Sequence, residues 1–310
     1  MKLAQLSPTE LVERLTGPGL RLQTGPFIFH LEVNLLDVIQ GLRDLYADFS
    51  VFEVEDFSDF YIKVTRPRSW RRWVWPQVII DVDGETPSDP LPVNQAFAAF
   101  EGCLNWCIYT FAHQYFIIHA AAVERHGCAA ILPAPQGSGK STLCAALVNS
   151  GGWRLLTDEL VLMESPSGAI VPLARPISLK NESIGIIRGF APHAVFGPVS
   201  PDTIKGTIAH LRPPAESVAR VKEYCRPAWV VFPRYQSGMP AVGRRVPKGQ
   251  GFMRVAASSV NYALLGEAGF KLLSEIVDRA DCYDFEYSDL REALAWFDDL
   301  AESNRRLEAR

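Results

Sequence analysis

The sequence predicts an α/β protein: a three-layered nucleotide-binding core preceded by a smaller α+β unit. Three observations predict it. From Tyr115 onward, apolar strand-like runs alternate with helical ones. An apolar strand leads straight into a glycine-rich turn and then a helix at Ala129–Val148. The first hundred residues carry shorter, alternating apolar segments of their own. The expected division is residues 1–100, the smaller α+β unit and a candidate for recruiting a partner, and residues 101–310, the three-layered core.

The chain opens on a helix start, Ser7-Pro8-Thr9-Glu10, whose serine and glutamate can satisfy each other's backbone donors. Phe27-Ile28-Phe29-His30-Leu31-Glu32-Val33 alternates as a half-buried strand does, and a helix is expected from Leu36 to Tyr46. Asp59–Val64 and Val78–Val82 are further strands, the second closing on an Asp83-Gly84 turn. Between them lies an Arg/Trp cluster, Arg66 to Pro76. It suits base stacking, a partner surface or a simple hairpin tip. From Val93 to His113 the apolar spacing is helical, and this helix bridges to the second part.

There the expected order is a strand at Tyr115–Val123, a strand at Ala129–Leu132, a helix at Ser141–Ser150 and a strand at Arg154–Leu162. Trp229–Phe232 reads as a strand and Pro233–Gly251 as a Pro/Gly-rich connection. Helices follow at Asn261–Arg279 and Leu290–Arg306.

Composition narrows the function. Of 310 residues 48% are hydrophobic and 21% charged, which suits a folded globular protein and excludes a disordered one. A formal net charge of -4 argues against nucleic-acid binding through bulk charge. No basic, apolar leader opens the chain, so a cytoplasmic protein is expected. The most apolar window, Leu104–Val123, is broken by His113, Gln114 and His119, which speaks against a membrane span. The six cysteines include no Cys-x-x-Cys pair and read as buried small hydrophobes; Cys103 and Cys107 stand one helical turn apart.

Ala134-Pro135-Gln136-Gly137-Ser138-Gly139-Lys140-Ser141-Thr142 is a phosphate loop with alanine in place of its first glycine. Gly137 and Gly139 let successive amides turn inward around phosphate oxygens, and the following helix adds its positive end. Lys140 supplies charge to the terminal phosphates and Ser141 a hydroxyl to Mg²⁺. Gln136 to Thr142 are therefore the candidate nucleotide-binding residues. Asp158-Glu159, at the polar end of Trp153–Thr157, supplies two carboxylates that a strand returning beside the phosphate-loop strand would bring to the γ-phosphate. His119 ends the apolar run Tyr115–Ile118 and is, taken alone, as consistent with a core histidine as with a catalytic one.

His119, the phosphate loop and Leu156-Thr157-Asp158-Glu159, taken together, resemble the catalytic core of the HPr serine kinase/phosphorylase family. Ser178-Leu179-Lys180-Asn181, Asp202–Thr207, Phe232-Pro233-Arg234-Tyr235 and Tyr287-Ser288-Asp289-Leu290 resemble more closely the group called HPr kinase-related kinase A. The resemblance implies a phosphate-loop kinase with a fold like that of phosphoenolpyruvate carboxykinase, using ATP and Mg²⁺. It implies Asp158 as the base for the acceptor hydroxyl, His119 hydrogen-bonded to Asp158, and Glu159 toward the metal.

Two positions depart from the family. Glu159 stands where a second aspartate is usual, and Lys180 where HPr kinases place a metal-binding glutamate. A lysine cannot ligate Mg²⁺ while protonated, but it can hold the transferring phosphate or an acidic acceptor. Asn181, Lys205 and Arg234 are further candidates for substrate or phosphate contact. The expected activity is transfer of the γ-phosphate to a hydroxyl on a protein, a peptide or a small molecule. The alternatives are a nucleotide-dependent switch or scaffold and a simple nucleotide hydrolase. A homo-oligomer remains compatible with the sequence.

Overall fold

The computed structural model describes residues 1–53, 57–67 and 74–308, and it is a mixed α/β protein. The central part of the Arg/Trp cluster, residues 68–73, lies outside the described residues. Of its described part, Val74 and Trp75 are exposed.

The first part of the chain builds one sheet from β1 (Leu20–Thr24), β2 (Phe27–Val33), β3 (Val51–Phe52), β4 (Phe60–Thr65), β5 (Gln77–Val82) and β6 (Leu91–Pro92). Their spatial order is β3-β1-β2-β4-β5-β6 among the described residues, parallel only between β2 and β4. Helices α1 (Pro8–Thr16), α2 (Leu36–Leu45) and α3 (Ala96–Phe111) belong to the same unit. Ser7 caps α1 as expected: its hydroxyl accepts from the Glu10 amide at 3.2 Å, and the Glu10 carboxylate accepts from the Ser7 amide at 2.8 Å. The helical pattern from Val93 begins with a 3-10 turn, and α3 proper starts at Ala96.

The second part centres on a larger sheet. Its strands are β7 (Tyr115–Arg125), β8 (Cys128–Pro133), β9 (Arg154–Thr157), β10 (Leu160–Glu164) and β11 (Ile170–Val171), with later strands described below. After β8 comes α4 (Lys140–Ser150). A three-stranded sheet then follows: β12 (Ile177–Lys180), α5 (Glu182–Phe190), β13 (Phe196–Thr203) and β14 (Gly206–Leu211), in the order β12-β14-β13. The chain returns to the large sheet through α6 (Ala215–Ala219), β15 (Arg226–Tyr235) and β16 (Val242–Arg245). It ends with α7 (Lys248–Ser258), α8 (Tyr262–Arg279), β17 (Asp281–Tyr287) and α9 (Leu290–Glu308). The stretch read as a Pro/Gly-rich connection therefore contains β16 and the start of α7.

The period-two alternation of β7 explains the layering. Ala121 and Val123 face one core with α4 and α9; Ala120 and Ala122 face the other with α7 and α8. Both faces of the large sheet are covered, which suits the unbroken apolar run of its strands. The core of the first part is continuous with Ile117, Leu160, Leu162 and Leu173 of the second.

One expectation about strand order is corrected. The strand bearing Asp158 and Glu159 does not lie beside β8. The β7–β8 hairpin puts β7 between them, and the other edge of β8 pairs in parallel with β15. Instead β9 and β10 both run antiparallel along β7, β9 opposite Ala122–Glu124 and β10 opposite Tyr115–His119. Asp158 and Glu159 fill the break between them; the register against β7 shifts just before it, between Leu155 and Thr157. Such an interruption re-aims side chains that a regular strand would alternate between its faces.

Candidate active site

The phosphate loop connects β8 to α4. Gly137 and Gly139 have φ values of +86° and +88°, the left-handed conformation that lets the loop amides converge. Ala134 replaces the usual glycine without strain, because its φ is not positive. Two tyrosines brace the loop from outside. The Tyr287 hydroxyl donates to the Gly139 carbonyl at 3.0 Å, and the Tyr235 amide donates to the Ser138 carbonyl at 2.9 Å. A Cβ on Gly139 would stand 2.4 Å from the Tyr287 oxygen, so position 139 requires glycine twice over.

The loop forms one side of a cavity of about 660 Å³. Gln136 to Thr142 all line it, as do Phe190, Tyr235 and Tyr287. A second cavity, of about 490 Å³, lies beyond it. Its walls are one face of α3, the β9–β10 break, the small sheet and Ala257–Val260. His119, Glu159, Ser178, Lys180 and Lys205 line both cavities, so the two meet at these residues.

The two carboxylates at this junction differ. Asp158 is buried and lines the second cavity; its Oδ2 accepts from the Ser178 amide at 3.2 Å, and its Oδ1 has no hydrogen-bond partner among the described residues. Burial, reinforced by the repulsion of Glu159, pushes its pKa up to about 7 against the pull of Lys140 and the hydrogen bonds of Ser141 and Ser178. Glu159 is held down at about 2: burial works against its charge, but the hydrogen bond to His119 and the charges of Lys140 and Lys180 outweigh it.

The imidazole of His119 therefore pairs with Glu159, Nε2 to Oε2 at 3.3 Å, and not with Asp158 as the family resemblance implies. The reason is register. His119 lies directly across from Leu160, the neighbour of Glu159, while the break in the strand turns Asp158 toward Ser178.

The remaining predicted residues separate. Lys180 and Lys205 reach the junction, Lys180 from the end of β12 and Lys205 from the β13–β14 turn. Asn181 is a strut: with φ +52°, it accepts from the Thr207 amide at 3.0 Å and holds the turn that carries Lys205. Arg234 lines neither cavity; its exposed guanidinium lies 3.9 Å from Glu286. Both corrections have the same origin: sequence shows that a polar group is present but not which neighbour takes it.

Sequence reasoning missed the floor of the second cavity. Arg175 is buried and bonds Glu101 at 2.6 Å and Asn105 at 2.8 Å, while Tyr46 donates to the other Glu101 oxygen at 2.6 Å. The available signal was a single charge in the apolar run Ile170–Ile177.

Magnesium fits the donor set at the junction. Ionised Glu159 and the Ser141 hydroxyl line the same cavity, with Asp158 buried beside Ser141. Among the described residues no cluster of three or more His, Cys, Asp or Glu side chains forms a ready cage. Mg²⁺ does not need one, since it is held by one or two carboxylates together with substrate phosphates.

No family model matches the chain, and no curated protein matches it. Among solved structures it is similar to the HPr(Ser) kinase/phosphatase from Coxiella burnetii, at 12% identity over 62% of this chain and 97% of that one, with a TM-score of 0.27. That likeness is too loose to bear on the chemistry of the site. No helix among the described residues is long and apolar enough to cross a membrane.

Proposed function

We propose that the protein is a phosphotransferase that moves the γ-phosphoryl group of a nucleoside triphosphate, ATP by preference, to a hydroxyl acceptor. The observation that carries this reading is the junction: a phosphate-loop cavity and a second cavity share a wall of one histidine, one carboxylate and two lysines. A hydrolase needs only the first cavity and a water. A nucleotide switch needs no second cavity at all.

The nucleotide phosphates lie against the loop amides and Lys140, with the helix α4 dipole behind them. Ser141 and Glu159 would hold Mg²⁺, which neutralises phosphate charge when bound. Asp158 faces the second cavity and takes the proton of the acceptor hydroxyl; a carboxylate raised toward neutrality suits that task. The acceptor oxygen then forms its bond to the γ-phosphorus as the bond to the bridging oxygen breaks, giving a phosphate monoester and the nucleoside diphosphate. Lys180 and Lys205 stand where charge builds on the transferring group. His119 keeps Glu159 ionised and oriented.

γ-Labelled ATP incubated with Mg²⁺, the protein and extract of its organism tests the reading. Label is expected in a distinct acceptor. Lys140→Ala is expected to lose both label transfer and binding of a fluorescent ATP analogue. Release of free phosphate with no labelled acceptor would replace the kinase by a hydrolase.

A further inference from the structure

Resting on the nucleotide-binding half of the phosphotransferase reading, we propose that the open groove between α5 and α9 is the nucleoside subsite. It takes the ribose and holds the base by its faces, between Ile186 and Phe190 on one wall and Arg291 and Leu294 on the other.

The loop cavity has two unlike ends. At one it meets the second cavity, through His119, Glu159, Ser178, Lys180 and Lys205. At the other it meets the groove, through Ile186, Phe190 and Arg291; among the described residues, none lines both the groove and the second cavity. The first end is charged and suits a γ-phosphate, whereas the second is mainly apolar. A nucleoside triphosphate has the same polarity along its length, charge at the phosphates and apolar faces at the base. With the γ-phosphate at the junction and the β-phosphate on the loop, the rest of the molecule leaves toward the groove.

Helix α5 spans that distance. Glu182 and Ser183, at its start, line the loop cavity, and its second half carries Ile186, Gly189 and Phe190 into the groove at a spacing of three and four residues. Ile184 and Ile187, on its other side, are buried against α4. Across the groove Arg291, Leu294, Ala295 and Asp298 follow the same spacing on α9. Both helices pack on α4, which runs from Thr142 in the loop cavity to Ser150 in the groove. Over that stretch the helix rises about 12 Å, room for a ribose and a base.

The walls suit stacking. Ile186 is 48% exposed beside a half-buried Phe190. Gly189 has no positive φ, and a Cβ built on it meets nothing within 4 Å. Neither strain nor crowding calls for glycine there, and inside a helix glycine is unfavourable by roughly 0.5–1 kcal/mol. What the bare position does is leave the groove open on the α5 wall. Two acidic side chains nearby are turned to their own neighbours: Asp298 accepts from Arg125 and from the Trp153 indole, and Asp289 Oδ1 accepts from the Arg291 amide at 2.7 Å. The exposed Arg291 guanidinium makes no hydrogen bond or ion pair among the described residues. Apolar faces and a cation of this kind hold a base by stacking, without reading its edge.

Calorimetric titration with ATP and with inorganic triphosphate, each with Mg²⁺, separates the base from the phosphates. The protein is expected to bind ATP roughly ten- to a hundredfold more tightly than triphosphate, the range that stacking of one base supplies. Phe190→Ala is expected to lower that ratio about tenfold while triphosphate affinity holds, which also shows that the variant is folded. The double variant Gly189→Leu/Ala295→Leu closes the groove from both walls, at exposed positions that do not line the loop cavity, and is expected to bring the ratio close to one. Equal affinity for the two ligands in the unaltered protein, or an unchanged ratio in the double variant, overturns the subsite and leaves the phosphotransferase standing. So does a loss of triphosphate binding equal to the loss of ATP binding in both variants. Binding of neither ligand by the unaltered protein overturns the nucleotide reading itself.

Discussion

The floor of the second cavity and the junction above it both bury carboxylates, and they treat them in opposite ways. Glu101 has a donor on each oxygen: Tyr46 on one, Arg175 on the other. Asp158 has the Ser178 amide on one oxygen and the Ser141 side chain nearby, and among the described residues its other oxygen has no geometrically good hydrogen bond. A buried charge that is fully paired fixes the position of the elements carrying it; one that is half paired is unfavourable for folding and available for chemistry. In this chain the first kind joins α3 to the segment before β12, and the second stands at the wall of the second cavity.

Removing the charge at each site should therefore give opposite results. Asp158→Asn is expected to lower transfer by about 10²–10⁴-fold while nucleotide-analogue affinity holds. The same substitution is expected to raise the unfolding free energy of the ligand-free protein by about 1 kcal/mol at pH 8. Urea unfolding beside the label assay measures both, and a destabilised Asp158→Asn would erase the distinction between the two sites. Glu101→Gln strands the Arg175 charge and is expected to cost about 3–5 kcal/mol in the same unfolding experiment. A loss below about 1 kcal/mol would place Glu101 among ordinary surface pairs. The smallest effect is expected at the loop brace. Tyr287→Phe removes the hydroxyl that holds the Gly139 carbonyl, costing about 0.5–1.5 kcal/mol and weakening nucleotide-analogue affinity a few-fold at most.

Local features of this molecule were legible in the sequence. The phosphate loop could be read because its strand, turn glycines and helix are contiguous, and the capped start of α1 because its partners are three residues apart. The change from helix to strand between Phe111 and Tyr115 followed from a change of apolar period. What depended on distant pairing was not legible. Which carboxylate His119 meets is set by the β7–β10 register, and the strand order by the β7–β8 hairpin. Asn181 and Arg234 looked alike as polar residues near motifs, yet one is tied to Thr207 and the other lies beside Glu286. Arg175 and Glu101 are 74 residues apart, and no motif announces such a pair.

That pair also imposes an order on the making of the protein. The ribosome delivers Tyr46 and Glu101 first, then the phosphate loop, and Arg175 last. Until the arginine arrives, seating α3 in its final place would bury a carboxylate with no cation to meet it. A chain that ends at Arg175 holds the phosphate-loop sequence but lacks Tyr235 and Tyr287, which brace the loop, and the small sheet that walls the second cavity. The guanidinium makes the seating of α3 wait on the segment that leads into β12, so two parts of the chain far apart in sequence settle together.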